Sequence, residues 1–194
     1  MIEILRLIVS AIFAVFYRVE VVNVNNVPES GPVLICANHN GIMDMFFIGY
    51  KLKRLVHYMA KEELFKIPLL GFIIKCLGAF PVKRGKGDVS AIKTVFKLLE
   101  EGKIVGIFPE GTRTLGKRKK DIRIKPGAAL IALRSGVNIV PVAVKGNYRL
   151  FSKVKVVFGK PFKIESEEGK RYRNSDLGKI SEGIMNRVYS LMEE

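Results

Sequence analysis

PVLICANHNGIMD, residues 32–44, decides the fold. Its opening run, PVLICAN, is apolar without alternation, the pattern of a central strand covered on both faces. Asn40-Gly41 is a turn-forming pair, and the residues after it, roughly 42–52, take helical spacing. A strand, a tight turn and a helix make the unit from which α/β sheets are built.

Outward from this stretch the same alternation recurs. Strands are expected at 19–24, 32–38, 55–60, 103–109, 138–144 and 153–159, with helices at roughly 42–52, 64–78, 88–101, 127–135 and 174–192. Asp88 suits the N-cap of the third helix and Gly102 its C-terminal stop; Pro126 suits the first turn of the fourth. The expected architecture is a single α/β domain, 18–194, with a mostly parallel central sheet flanked by helices. Before it, an apolar N-terminal helix occupies residues 1–17.

That N-terminal helix contains LIVSAIFAVFY, residues 7–17, an apolar run of eleven. A bilayer span needs about 20 residues, so crossing is not expected. A helix apolar nearly all round has to be covered, by its own domain or by the hydrocarbon boundary of a leaflet; membrane association is the reading taken here. The start lacks a strongly basic region and a convincing cleavage site, which argues against a removed signal.

The chain has 194 residues, 48% of them hydrophobic, enough for a full core in one domain. Its 33 Lys and Arg against 18 Asp and Glu give +15, a charge that points to a polyanionic partner. A basic nucleic-acid-binding module would share that charge. Nothing resembles a nucleic-acid motif, however, and no basic stripe is interleaved with stacking aromatics, so no nucleic acid is expected. Cys36 and Cys76 sit in apolar surroundings and read as buried thiols. The two histidines, His39 and His57, have no thiol nearby at metal-ligand spacing, and no metal is expected.

Three groups of residues carry chemistry. His39 and Asp44 are five apart, which on a uniform helix separates them by about 140°. If His39 ends the strand and Asp44 lies in the first helical turn, the carboxylate folds back to the imidazole, fixing its tautomer as a general base requires. The site then sits at the carboxyl end of a strand, where α/β sheets place ligands. Alone, these residues equally fit a packed core histidine and a helix N-terminal carboxylate favoured by the dipole. No G-x-S-x-G elbow is present, so the base would activate a hydroxyl of the substrate without an acyl-enzyme. Phe108-Pro109-Glu110-Gly111-Thr112-Arg113 ends another strand and puts a guanidinium, suited to phosphate, on the same rim. Lys61 and Arg84 bracket the strongly apolar helix 64–78, where two cations can hold a phosphate beside a surface for acyl chains; by periodicity alone the stretch also fits a buried core helix with solvated charges at its ends. The basic loop residues Lys117, Arg118, Lys119 and Lys120 can attract anionic headgroups, dock an acidic carrier protein or merely be solvated.

In order, these blocks resemble the glycerolipid acyltransferases, especially the bacterial 1-acyl-glycerol-3-phosphate acyltransferases. The N-H-x4-D motif matches Asn38 to Asp44. The block ending in arginine matches Gly78 to Arg84, F-P-E-G-T-R matches Phe108 to Arg113, and the apolar strand around a proline resembles Ile139 to Ala143. The resemblance spans residues 32–145. It implies His39 as general base and Asp44 as its orienting partner, with Lys61, Arg84 and Arg113 on the acceptor phosphate. Glu110, Gly111 and Thr112 shape and line that site, and Pro141 helps build the substrate pocket. It implies acyl-carrier protein or coenzyme A thioester as co-substrate, no other cofactor, an anionic membrane lipid as partner and a place on the cytoplasmic face of the membrane. Glycerol-3-phosphate and lyso-amino-lipids remain alternative acceptors.

Overall fold

The computed structural model describes residues 8, 11, 14–83, 88–114, 116, 121–167 and 169–193. Most of the expected N-terminal helix, Arg84, and the basic run 117–120 lie outside these residues; 14–16 are helical. Among the described residues, no helix is long and apolar enough to cross a membrane.

Seven strands form one sheet: β1 (Arg18–Val22), β2 (Val33–Ala37), β3 (Val56–Lys61), β4 (Phe80–Val82), β5 (Ile104–Ile107), β6 (Asn138–Gly146) and β7 (Lys153–Phe158). Their order is β1-β7-β6-β2-β5-β3-β4. Five run parallel, β6, β2, β5, β3 and β4, while β7 pairs antiparallel with β6 and carries β1 parallel to itself. The helices are α1 (Asp44–Gly49), α2 (Pro68–Cys76), α3 (Val89–Glu100), α4 (Gly127–Ser135) and α5 (Asn174–Ser190).

β4 is the one strand not expected from sequence. Its central Pro81 argues against a strand interior, but β4 pairs only with β3 at the sheet edge, where a proline costs no ladder bond. Every residue of β2 is buried, because both sheet faces are covered. Val33, Ile35 and Ala37 face the layer holding Phe47 and Ile48 of α1; Leu34 and Cys36 face Val95 of α3, Ile131 of α4 and Ile184 of α5. Asp88 caps α3, accepting the N–H groups of Ser90 and Ala91 at 3.0 and 3.1 Å.

The register decides where the chemistry falls. Cys36 pairs with Ile107 in neighbouring parallel strands, so His39 and Glu110, each three residues further on, leave the sheet side by side. β3 lies one strand beyond β5, about 10 Å from β2 at the usual strand spacing. The carboxyl ends of β2, β3, β5 and β6 thus share one rim.

Candidate active site

β2 does not stop abruptly at Ala37. The Asn38 amide continues the pairing with β6: its Nδ2 donates to the Val144 carbonyl at 3.0 Å and its Oδ1 accepts the Val144 N–H at 2.8 Å. This fixes the chain as it leaves the sheet and delivers His39, itself buried, to the rim. Asn40-Gly41 then turns the backbone into α1, whose first residue is Asp44.

Across that turn, His39 Nδ1 lies 2.8 Å from Asp44 Oδ2. The same oxygen accepts the backbone N–H of Asn40 at 2.7 Å and of Gly41 at 2.9 Å. Asp44 Oδ1 accepts the hydroxyl of Tyr148, from the loop after β6. Asp44 is fully buried, and four donors satisfy its carboxylate as an anion. With the carboxylate on Nδ1, the Nδ1–H tautomer is held and Nε2 is the basic nitrogen. Nε2 has no hydrogen-bond partner among the described residues. One face of the ring stacks on Phe108, centroids 4.2 Å apart and planes 16° off parallel, and Phe108 stacks in turn on Tyr58 at 5.6 Å.

Glu110 grips His39 from the other side, through the backbone. Its Oε2 accepts the His39 N–H at 2.6 Å and the Thr114 hydroxyl at 3.1 Å. Its Oε1 accepts the hydroxyl of Tyr189, on α5, at 2.8 Å. Thr114 also bonds the His39 carbonyl, from its N–H at 2.7 Å and its hydroxyl at 3.0 Å. Burial pushes the Glu110 carboxyl above the ordinary glutamate range, and bonds from His39, Tyr189 and Thr114 pull it partly back. Burial first, and the Asp44 charge after it, push the Tyr148 hydroxyl far up, so it stays a proton donor.

Of the residues singled out in sequence, His39, Asp44 and Glu110 converge. Gly111, Thr112 and Arg113 follow on the same loop with their surfaces exposed. Lys61 stands exposed at the end of β3, its Nζ 3.2 Å from Glu63. Pro141 is placed differently: it lies buried inside β6, paired with Cys36 and packed against Gly159, below the rim on which His39 stands. Cys36 is buried and Cys76 partly so, both as free thiols. Among the described residues, no cluster of ligands fits a metal ion. Sequence reasoning did not find Tyr148, Tyr189 or Thr114. Tyr148 is 104 positions from Asp44 and Tyr189 is 79 from Glu110, so no local spacing marks either.

The family model described as Acyltransferase matches residues 18–145. The 1-acyl-sn-glycerol-3-phosphate acyltransferase of Bacillus subtilis is 41% identical over 149 residues, covering 74% of this chain and 73% of that one. The protein of the same description from Borreliella burgdorferi is 31% identical over 139 residues, covering 70% of this chain and 54% of its own. The crystal structure of the 1-acyl-sn-glycerophosphate acyltransferase from Thermotoga maritima superposes with a TM-score of 0.68 over 96% of this chain and 77% of that one. At 23% identity it supports the fold alone. A buried histidine gripped by a carboxylate, beside a loop that ends in arginine and within a matched family region spanning both, leads to one conclusion: the chain belongs to the acyltransferase family and is an acyltransferase.

Proposed function

We propose that the enzyme transfers a fatty acyl group from an acyl-carrier-protein or coenzyme A thioester to the free hydroxyl of 1-acyl-glycerol-3-phosphate, giving phosphatidic acid. The observation that carries this is the His39–Asp44 contact, with Nε2 unbonded among the described residues on the rim beside the loop of Arg113. Relatives bearing that activity in their names support the choice of acceptor.

In the reaction, His39 Nε2 takes the proton of the acceptor hydroxyl as its oxygen attacks the thioester carbonyl carbon. Asp44 stabilises the imidazolium. A C–O bond forms, the C–S bond breaks, and the departing sulfur takes the proton back from the imidazolium. Base catalysis of this kind supplies about 10² to 10⁴-fold; holding two long substrates in place supplies much of the rest. Lys61, Arg84 and Arg113 hold the acceptor phosphate, with Glu110, Gly111 and Thr112 shaping the loop.

The reaction takes place on a cytoplasmic membrane face, with anionic lipid as partner. Supporting this, Ile42, Leu69, Phe72, Leu150 and Phe151 are all exposed, and α2 buries only Gly71 despite its apolar sequence. The rings of Phe16 and Phe151 approach to 6.2 Å, joining the end of the N-terminal helix to this set. Such a surface suits an enzyme whose acceptor stays in the leaflet.

The test is an acyl-transfer assay over a panel of acceptors: 1-acyl-glycerol-3-phosphate, glycerol-3-phosphate and a lyso-amino-lipid. The first is expected to have the highest kcat/KM, and His39→Ala to abolish transfer without lowering vesicle binding. A preference for another acceptor, or turnover in His39→Ala, refutes the assignment.

A further inference from the structure

We propose that Tyr148 is a positioning residue for acyl transfer: its hydroxyl fixes the Asp44 carboxylate that orients His39. This rests on the assignment of His39 as the base and deepens it.

The argument starts from the two oxygens of Asp44. Oδ2 receives three donors: the imidazole and two backbone N–H groups of its own turn. Oδ1 receives one donor, the Tyr148 hydroxyl, in a residue with no exposed surface. A buried carboxylate oxygen without a donor is costly, and the group escapes that cost by rotating or by taking up a proton. Either response spoils the hold on Nδ1. Tyr148 therefore prevents the carboxylate from turning about its χ2 away from the imidazole.

Tyr148 is itself firmly placed. Its ring packs edge-on to Phe47 at 5.3 Å, and Phe47 is packed in the same way by Tyr17 at 5.1 Å. Gly41 leaves room for it: a Cβ there would stand 2.8 Å from two ring carbons of Tyr148. The loop beyond is pinned to the N-terminal segment, Phe151 N–H donating to the Phe16 carbonyl at 2.7 Å and Arg18 N–H to the Ser152 carbonyl at 3.1 Å. Mere packing would be satisfied by a phenylalanine; the hydroxyl is explained by its bond to Asp44, with the Asn40 side chain as a second partner.

The titratable groups whose fields reach this pair are Tyr148, Tyr58 and Glu110. Burial pushes both tyrosines far above the working range, so neither ionises there and each acts as a fixed dipole.

The experiment compares wild type, Tyr148→Phe, Gly41→Ala, the double variant and His39→Ala, with thermal unfolding to verify folding. In Tyr148→Phe, kcat is expected to fall more than about fivefold, with KM for donor and acceptor within about twofold. Gly41→Ala pushes the ring away while keeping the hydroxyl, so it gives a second route to the same loss if Tyr148→Phe does not fold. The double variant is expected to be no worse than the poorer single, because both break one bond. A kcat within fivefold of wild type, or additive losses in the double variant, would overturn the role of Tyr148. Activity in His39→Ala would instead overturn the assignment beneath it.

Discussion

Glu110→Ala separates two accounts of the same residue, one in which the carboxylate meets substrate and one in which it holds His39. In the structure its side chain faces inward and is spent on His39, Thr114 and Tyr189. Truncation leaves the His39 N–H buried without an acceptor, at about 1–3 kcal/mol. It also removes one buried methylene group at about 0.8 kcal/mol. Thr114 keeps its bond to the His39 carbonyl and half-buried Tyr189 reaches water, so neither adds much. Release of a carboxyl whose ionisation burial opposes offsets part of the loss. The net is about 1–3 kcal/mol, and at about 2–4 °C per kcal/mol for a chain of this size Tm drops by about 2–12 °C. Because a displacement of the His39 backbone near 1 Å costs about a hundredfold in rate, kcat falls 10- to 100-fold, measured with saturating acceptor. The acceptor KM should change by less than about threefold, an estimate on the same reasoning. Glu110→Gln can keep all three bonds by turning its amide nitrogen toward Tyr189, and so loses far less. The folded carboxyl titrates above the unfolded one. Its contribution to stability is therefore fullest below the ordinary glutamate range and declines as pH rises through the raised value. The Tm gap between wild type and Glu110→Gln should thus narrow as pH rises. A wild-type Tm in Glu110→Ala with only the acceptor KM raised would refute this reasoning.

Gly106→Ala tests the aromatic stack under the imidazole. A Cβ there would stand 2.2 Å from Tyr58 Cε1, so the ring must move; overpacking of this sort costs about 1–3 kcal/mol, read as a Tm loss of about 2–12 °C. An unchanged Tm would mean the Tyr58 ring yields freely. Arg113→Ala should raise the acceptor KM about tenfold or more at near-normal kcat, the value of a charge-assisted phosphate contact; an unchanged KM removes Arg113 from the phosphate site. Sedimentation with anionic vesicles should weaken for Leu150→Ser with Phe151→Ser, and undiminished binding would place membrane contact elsewhere.

What sequence could disclose follows the range of the forces involved. The His39–Asp44 contact is legible because five residues and one turn contain it, and turn chemistry is local. The helices come out within a few residues, 89–100 against 88–101 for α3, because capping by Asp88 is local too. β4 escaped notice because three residues around a proline carry no period; pairing along the edge of β3 makes them a strand. Pro141, expected to help build the substrate pocket on the strength of its motif, lies buried in β6 opposite Cys36, a register its own segment does not encode. The inward turn of Glu110 depends on β2 and β5 being neighbours, with Cys36 opposite Ile107, a fact of topology that no spacing within either segment contains.

The two carboxylates on His39 differ in what they hold, and the difference explains why both are buried. Asp44 takes hold of the ring and Glu110 of the peptide N–H, so the imidazole is fixed at its tip and at its root. A single grip would not suffice. A ring held only at Nδ1 still swings with the strand end, and a strand end held only at N–H still lets χ1 and χ2 turn. Phe108 closes one face, and Nε2 is what remains. Electrostatics separate the two further: Asp44 faces the imidazole across 2.8 Å, placed to meet a positive charge there, whereas Glu110 is hydrogen-bonded by dipoles of the backbone and of two hydroxyls and feels the imidazole charge less than these. Dipoles satisfy a carboxyl without demanding that it stay fully ionised, which agrees with burial raising Glu110. The imidazole is therefore preorganised by the fold, and under the proposed function binding energy from the exposed cations is left for orienting the lipid.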